Sequence, residues 1–417
     1  MLTNGYIFVI IILSFILPLL LKEFRENRTL YIVAILAISI RHILVFYSEY
    51  IPLPSITETD AMMFHTFAIE LTETGNYYFG IGSDFYINML GRVYDLFGSS
   101  RWLGAEISIL AFVISMMLFV KIIKMIGQAD YQIPMVVIFS FLPTMILLTS
   151  LTLRESWQLL AFMAAVYWGF RYRRDSNLLY LFLMLVFSLA MALFHKALIF
   201  MAIILVLTIV LWPGKVQSKS EHEWVKTGAI IVSMISIVVV GFLVVANSLG
   251  GSYGGEVITA VVKGDILEYI SHYHGILDQY SGRASFEVGL DASSWGALMV
   301  SWIKVYYYYL FSPFPWQVQN FLDVYAFVEA FTRLLLIVAT IYTGIRGASH
   351  YKYYIFQLLF IYFMMTALWS LGTANYGQAI RHHLLTNWIL LLTGGPLVFG
   401  YIMRNILRIR QQETLIN

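Results

Sequence analysis

Apolar windows of about 18–22 residues recur along this chain from Tyr6 to its last residues, close to the roughly 20 that a helix needs to cross a bilayer. Inside hydrocarbon every backbone amide must find its partner within the protein, so a spanning segment is a helix or part of a closed barrel. A barrel would alternate polar and apolar residues in segments of about ten, and no such segments occur. With 60% hydrophobic and only 12% charged residues, the chain cannot clothe a soluble domain of this size in polar groups. The expected fold class is all-α: one polytopic integral membrane domain over residues 1–417.

The charges that are present fix an expected topology. Basic residues cluster at Lys22–Arg28, Lys121–Lys124, Arg171–Arg174, Lys215–Lys226, Arg346–Lys352 and Arg404–Arg410, and such clusters mark the cytoplasmic side. Between them lie helical windows at roughly 5–21, 30–48, 103–120, 134–152, 156–170, 178–194, 197–212, 227–247, 324–344, 353–371 and 384–403, about eleven spans. The first window lacks the basic leader of a secretory signal and is read as a true span with its N-terminus outside. An external loop then covers 49–102, and a longer one covers 248–323. Within the latter, 295–311 is read as an interfacial or re-entrant helix, rich in tyrosine and stopped by Pro313 and Pro315; the C-terminus is then cytoplasmic.

Cysteine is absent, which excludes disulfides and thiolate metal sites. The GGSYGG segment at 250–255 lacks the lysine of a phosphate-binding loop and reads as a connection. His272 and His274 have no closing ligand at recognisable spacing. No metal, cofactor or nucleic-acid partner is expected.

On this topology the polar constellations fall at one face, the external one. Ionisable groups at such places are expensive and usually functional. Asp60 precedes a stretch, 61–73, with helical periodicity. It reads as a helix cap, as a general base for a hydroxyl, or as both. His65 follows one turn on. Arg154 and Glu155 sit at a turn after Pro143, which is expected to bend the entering helix. The planar fork of arginine suits phosphate oxygens, with Glu155 orienting it. His195 and Lys196 mark the next external turn, as proton carrier and phosphate contact, or as side chains snorkelling to the interface. The segment 372–383, GTANYGQAIRHH, breaks one helix; Arg381 then opens the last span near its positive end, where an anion is favoured. His382 and His383 are adjacent and point apart on a helix. Trp316 ends an aromatic and proline stretch, 311–316, that shapes a lipid-facing groove. Glu329 and Arg333, one turn apart, read as a mutually neutralising pair. Arg41 and His42, about two-thirds across the second helix at 1.5 Å per residue, are expected to face the same cavity from below.

Asp60, the aromatic and alanine-rich helix after it, and Gly75 resemble the first external loop of GT-C glycosyltransferases, polytopic enzymes that use polyprenyl-linked sugars. The family's second acidic position is Ala61 here. The Leu153-Arg154-Glu155 turn resembles that of Wzy-type oligosaccharide polymerases. Residues 372–383 are similar to the segment before the final helices of bacterial surface-polysaccharide polymerases. The resemblance covers roughly residues 30–200 and 300–400. It implies a GT-C-like glycosyltransferase of cell-surface polysaccharide assembly in the bacterial inner (cytoplasmic) membrane, one that transfers or polymerises glycan repeat units from a polyprenyl phosphate or diphosphate donor. That enzyme would take a polyprenyl-linked sugar or oligosaccharide at the outer leaflet, its prenyl chain among membrane lipid near 296–316. It would work beside other polysaccharide-assembly membrane proteins. Asp60, Arg154 and Arg381 would be catalytic; His65, Glu155, His195, Lys196, His382, His383 and Trp316 would bind substrate. A GT-C single-sugar transferase is the alternative, and a transporter or lipid flippase a further one.

The topology has a direct test, since no native cysteine interferes. Single cysteines placed within 248–295 and within 372–383 should both react with an impermeant reagent from outside. Labelling of only one would mean that 295–311 crosses the membrane and that the polar groups do not share a face.

Overall fold

The structure is a computed structural model that describes residues 2–51, 56–212, 228, 260, 263–279, 282–346 and 349–416. The basic cluster at 215–226, the span expected over 227–247 and the connection at 250–255 lie almost wholly outside the described residues. Every described element is helical, with a single isolated bridge between Ser285 and Asn375.

Among the described residues, five helices are long and apolar enough to cross a membrane: Thr3–Leu20, Arg28–Tyr50, Arg101–Met125, Phe321–Arg346 and Tyr353–Ser370. Leu178–Phe194 and Leu198–Leu211 are shorter apolar helices. The chain is thus a helical membrane protein. Side chains start several of these helices. Asn27 accepts from the Leu30 amide at 3.0 Å, Asn177 from Leu179 at 2.9 Å and Ser294 from Ala297 at 3.2 Å, each filling an orphan donor of a helix's first turn. The core is apolar and closely packed. Phe112, Phe119 and Phe139 stack at its centre, and Trp388 and Tyr362 are fully buried.

Two expected spans are broken. The window at 134–152 divides into Gln132–Phe141 and Pro143–Thr149, bent by 60°. Pro143 has no amide to give and clashes with a continuing turn. In an unbroken helix the Thr144 amide would bond to the Ser140 carbonyl. Here that amide donates to Glu329 Oε1 at 3.0 Å and the Thr144 hydroxyl to Oε2 at 2.7 Å. The Ser140 carbonyl accepts instead from Arg41 at 3.0 Å, while Arg41 Nε reaches Thr149 Oγ1 at 2.8 Å. Two buried charged side chains therefore replace the missing backbone bond.

This corrects two expectations. Glu329 and Arg333 do not neutralise each other by direct contact, for Arg333 donates to the Leu310 carbonyl. Arg41 and His42 do not face an external cavity. Arg41 lies over the Phe112 ring at 3.4 Å and is wholly buried, and His42 pairs with Glu106 at 2.9 Å. The window at 384–403 is also interrupted, into Asn387–Thr393 and Gly395–Ile416. At Gly394 a Cβ would lie 2.4 Å from the Leu336 carbonyl, so glycine permits a close backbone approach there.

The proline break predicts a graded response. Glu329→Leu strips the Thr144 amide and hydroxyl of their acceptor and should cost about 1–3 kcal/mol, the scale of an unsatisfied buried group. Glu329→Gln keeps a carbonyl oxygen and should lose much less. Unfolding in detergent micelles measures both; equal losses would show that charge, not hydrogen bonding, holds the break.

Candidate functional site

Four separate stretches of chain converge at one end of the bundle. Asp60 lies inside the helix Ile56–Thr74, Glu155 opens the helix Glu155–Asp175, His195 and Lys196 form the turn before Leu198–Leu211, and Arg381 and His382 lie on the short helix Tyr376–His383. The turn that delivers Arg154 is pressed against Arg101–Met125, where a Cβ on Gly104 would come within 2.6 Å of Thr152.

Arg381 is the junction. Its Nε donates to Glu155 Oε1 at 3.1 Å, one terminal nitrogen also holds Glu155, and the other holds Asp60. Burial opposes its charge, but Glu155 and then Asp60 outweigh it, so its proton is held more firmly than usual. The Glu155 side chain is 9% exposed and that of Asp60 35%, so the first pair is the buried anchor and the second is partly solvated.

Arg154 makes no ion pair among the described residues. Its Nη1 donates to Ser83 Oγ at 3.0 Å and to the Phe194 carbonyl at 3.4 Å, and its buried Nε has no hydrogen-bond partner. Burial weakens its hold on its proton, against the pull of Glu155 and, more weakly, of Asp60 and Asp84, while Arg381 repels it. Gly82, at φ +81°, adopts a conformation that a side chain disfavours; a Cβ there would meet the Lys196 stem at 3.5 Å and Arg154 Nη1 at 3.8 Å. Two cations thus share one glycine.

A cavity of about 250 Å³ opens beside these groups, lined by Arg154, Glu155, His195, Trp369, Arg381 and His382 among others. Glu155 Oε2 and Gln378 Oε1, both from lining residues, are buried without partners. Trp369 stacks on His382 at 3.9 Å and meets His195 edge-on at 4.5 Å. Burial first, then Arg381 and Arg154, push the His382 imidazole down to about 3, against the pull of Glu155. His195 is pushed well below its usual range, by burial and then by Arg154. Both shifts favour the neutral ring. Among the described residues no three of His, Asp or Glu converge as metal ligands.

A strap crosses the segment that leads into this corner. Residues 284–286 pair with 374–376: the Phe286 amide donates to Ala374 at 2.8 Å, and the Tyr376 amide to Ala284 at 3.0 Å. Arg283 grips Asp323 with two bonds, at 2.5 and 3.0 Å, and Tyr376 joins Asp323 at 3.0 Å.

Several expectations change. Asp60 is no helix cap, since the helix begins at Ile56. Glu155 orients Arg381 rather than Arg154. Arg381 does not open the last span but sits in the last turn of an eight-residue helix, so no helix N-terminus aids it. Five of the expected residues do not line the cavity; Asp60 is held on Arg381, Lys196 lies beside Gly82, and the other three are engaged elsewhere. His65 bonds the Tyr94 hydroxyl at 2.8 Å, His383 bonds the Tyr309 carbonyl at 2.9 Å, and Trp316 is 72% exposed and stacked on Phe314. Sequence reasoning missed Trp369, Thr373, Gln158 and Gln378. The one available signal was that Trp369 and Thr373 lie one helical turn apart, just before the glycine and asparagine break.

Comparison with family models, curated proteins and solved structures finds no match to this chain.

The two carboxylates on Arg381 should differ in weight. Glu155→Ala leaves a buried guanidinium short of its main partner and should cost about 3–5 kcal/mol, the scale of breaking a buried pair. Asp60→Ala removes a partly solvated pair and should cost at most about 1 kcal/mol. Denaturant unfolding of the two variants decides; equal losses would contradict this ranking.

Proposed function

We propose that the protein is a membrane enzyme of cell-surface polysaccharide assembly, with about eleven spans. It transfers or polymerises glycan repeat units from a polyprenyl phosphate or diphosphate donor at the extracytoplasmic face of a bacterial inner membrane. One observation carries this reading: Arg154 is a half-buried guanidinium beside a cavity, with a buried, unbonded Nε and no carboxylate partner of its own. A buried cation without an anion is costly, and a phosphate of the donor would relieve it.

In this reading Arg154 and Lys196 meet the charge that develops on the leaving phosphate. Preorganised charge of this kind is usually the largest catalytic contribution. The fork of Arg381 is already filled by Glu155 and Asp60, so Arg381 is a positioning residue that holds the corner together. The prenyl chain lies against Trp295–Phe311, where Trp295, Met299, Val300 and Ile303 are exposed.

A transporter would be favoured by the broken helix at Pro143, because backbone freed inside a span is a common cargo site. Here Arg41 and Glu329 already occupy the freed groups. A single-sugar transfer and a repeat-unit polymerisation would use the same anion site.

Purified protein given polyprenyl-linked oligosaccharides should lengthen or transfer the glycan. Arg154→Lys keeps a charge but loses the fork, and should slow transfer by one to three orders of magnitude, roughly the scale of one preorganised donor. Normal turnover in Arg154→Lys would remove this residue from the site, and with it the main support for the reading.

A further inference from the structure

The two neutral histidines of the cavity are fixed in opposite tautomers. The Thr373 hydroxyl carries one hydrogen, which it donates to the Trp369 carbonyl at 2.7 Å. Its 2.9 Å contact with His382 Nδ1 must then be made by the imidazole N–H, which leaves Nε2 of His382 as a bare acceptor. At His195 the Ala197 amide, which can only donate, lies 3.3 Å from Nδ1. His195 therefore carries its proton on Nε2. Thr373 is fully buried and Trp369 nearly so, and the Trp369 ring packs between the two imidazoles, so neither ring is free to turn over. Both rings line one cavity, the one with a bare Nε2 and the other with an Nε2–H.

A bare nitrogen repels a phosphate oxygen and accepts a hydroxyl; an N–H does the reverse. Resting on the transfer reading above, we propose that His382 is the catalytic base, its Nε2 taking the proton of the attacking sugar hydroxyl, while the Nε2–H of His195 holds an oxygen of the donor. The acceptor O–H bond breaks and its proton passes to Nε2. The freed electron pair forms the new bond to the anomeric carbon. The bond from that carbon to the phosphate oxygen breaks, and its pair leaves on the phosphate facing Arg154 and Lys196. His382 is unprotonated at rest, and the donor phosphate, by offsetting Arg154, makes the imidazolium that forms less costly. It is flanked by Arg381 and His383 on its own helix, by Arg154 and Glu155 at the start of Glu155–Asp175, and by neutral His195 across Trp369. The carboxylates are less suited to the task, since both Asp60 and Glu155 are engaged by a guanidinium.

The test has two arms. The first is imidazole ¹⁵N spectroscopy on full-length protein labelled at histidine, in nanodiscs without donor, with signals assigned through His382→Gln and His195→Gln. It should find both rings neutral near pH 7, His382 protonated on Nδ1 and His195 on Nε2. A His382 protonated on Nε2, or cationic, overturns the proposal whatever the enzyme does. The second arm is a transfer assay with a polyprenyl diphosphate-linked oligosaccharide. His382→Gln should lower kcat about a hundredfold or more, the scale of general-base catalysis, with little change in donor KM. Thr373→Val, which releases the tautomer, should lose activity that Thr373→Ser retains. Full activity in His382→Gln with active wild type overturns the base alone; inactive wild type on every lipid-linked donor overturns the transfer reading and the base together.

Discussion

The guanidinium of Arg381 is the interaction on which the polar corner of the bundle depends. It joins the helix Ile56–Thr74, the start of Glu155–Asp175 and the helix Tyr376–His383, segments brought together from opposite ends of the chain. A lone charge largely withdrawn from water would be costly, and two carboxylates make it tolerable. Arg381 is thereby used up in holding, which leaves Arg154 as the guanidinium at this corner without a carboxylate of its own. The strap at 282–288 reinforces the same helix from above, through Arg283, Asp323 and Tyr376. Geometry that keeps a charged group unsatisfied beside an open cavity is what a preorganised binding site requires.

The bundle beneath supplies the rigidity. Its proline break would leave backbone groups bare in a setting without water, and Arg41 and Glu329 fill them. These charged side chains are structural, and they anchor the short helix Pro143–Thr149 that leads into the turn carrying Arg154. Charge inside this protein serves two ends: paired with backbone in the bundle, where it mends a broken helix, and grouped at one corner, where part of it stays available.

The helices were largely legible from apolar windows and capping residues, because hydrophobic length and a side chain before the first turn are local signals. Asn27 and Ser294 stand where the helices start. The bend at Pro143 was legible too, since a missing amide acts where it stands. Partnership was not legible. Glu155 is adjacent to Arg154 in sequence yet bonds a residue 226 positions away, and Glu329 turns from Arg333 to a backbone amide. Adjacency suggested both pairs, and tertiary packing overrode both. Histidine tautomers were beyond reach for the same reason, since they depend on where Thr373 and Ala197 direct their hydrogens. Of the polar residues expected to share one face, Arg154, Glu155, His195, Arg381 and His382 line one cavity, whereas His383 points away from it because adjacent residues face apart on a helix.

The central claim is that a polyprenyl-linked donor places its phosphate against Arg154 while Arg381 stays on its carboxylates. An electron cryo-microscopy map of the full chain in nanodiscs with a polyprenyl diphosphate tests it most directly. The account predicts phosphate density between Arg154 and Lys196, with Arg381 still joined to Glu155 and Asp60 and the prenyl chain along Trp295–Phe311. Phosphate bound at another face of the protein, or an Arg154 side left empty in a map that shows the lipid elsewhere, would contradict it.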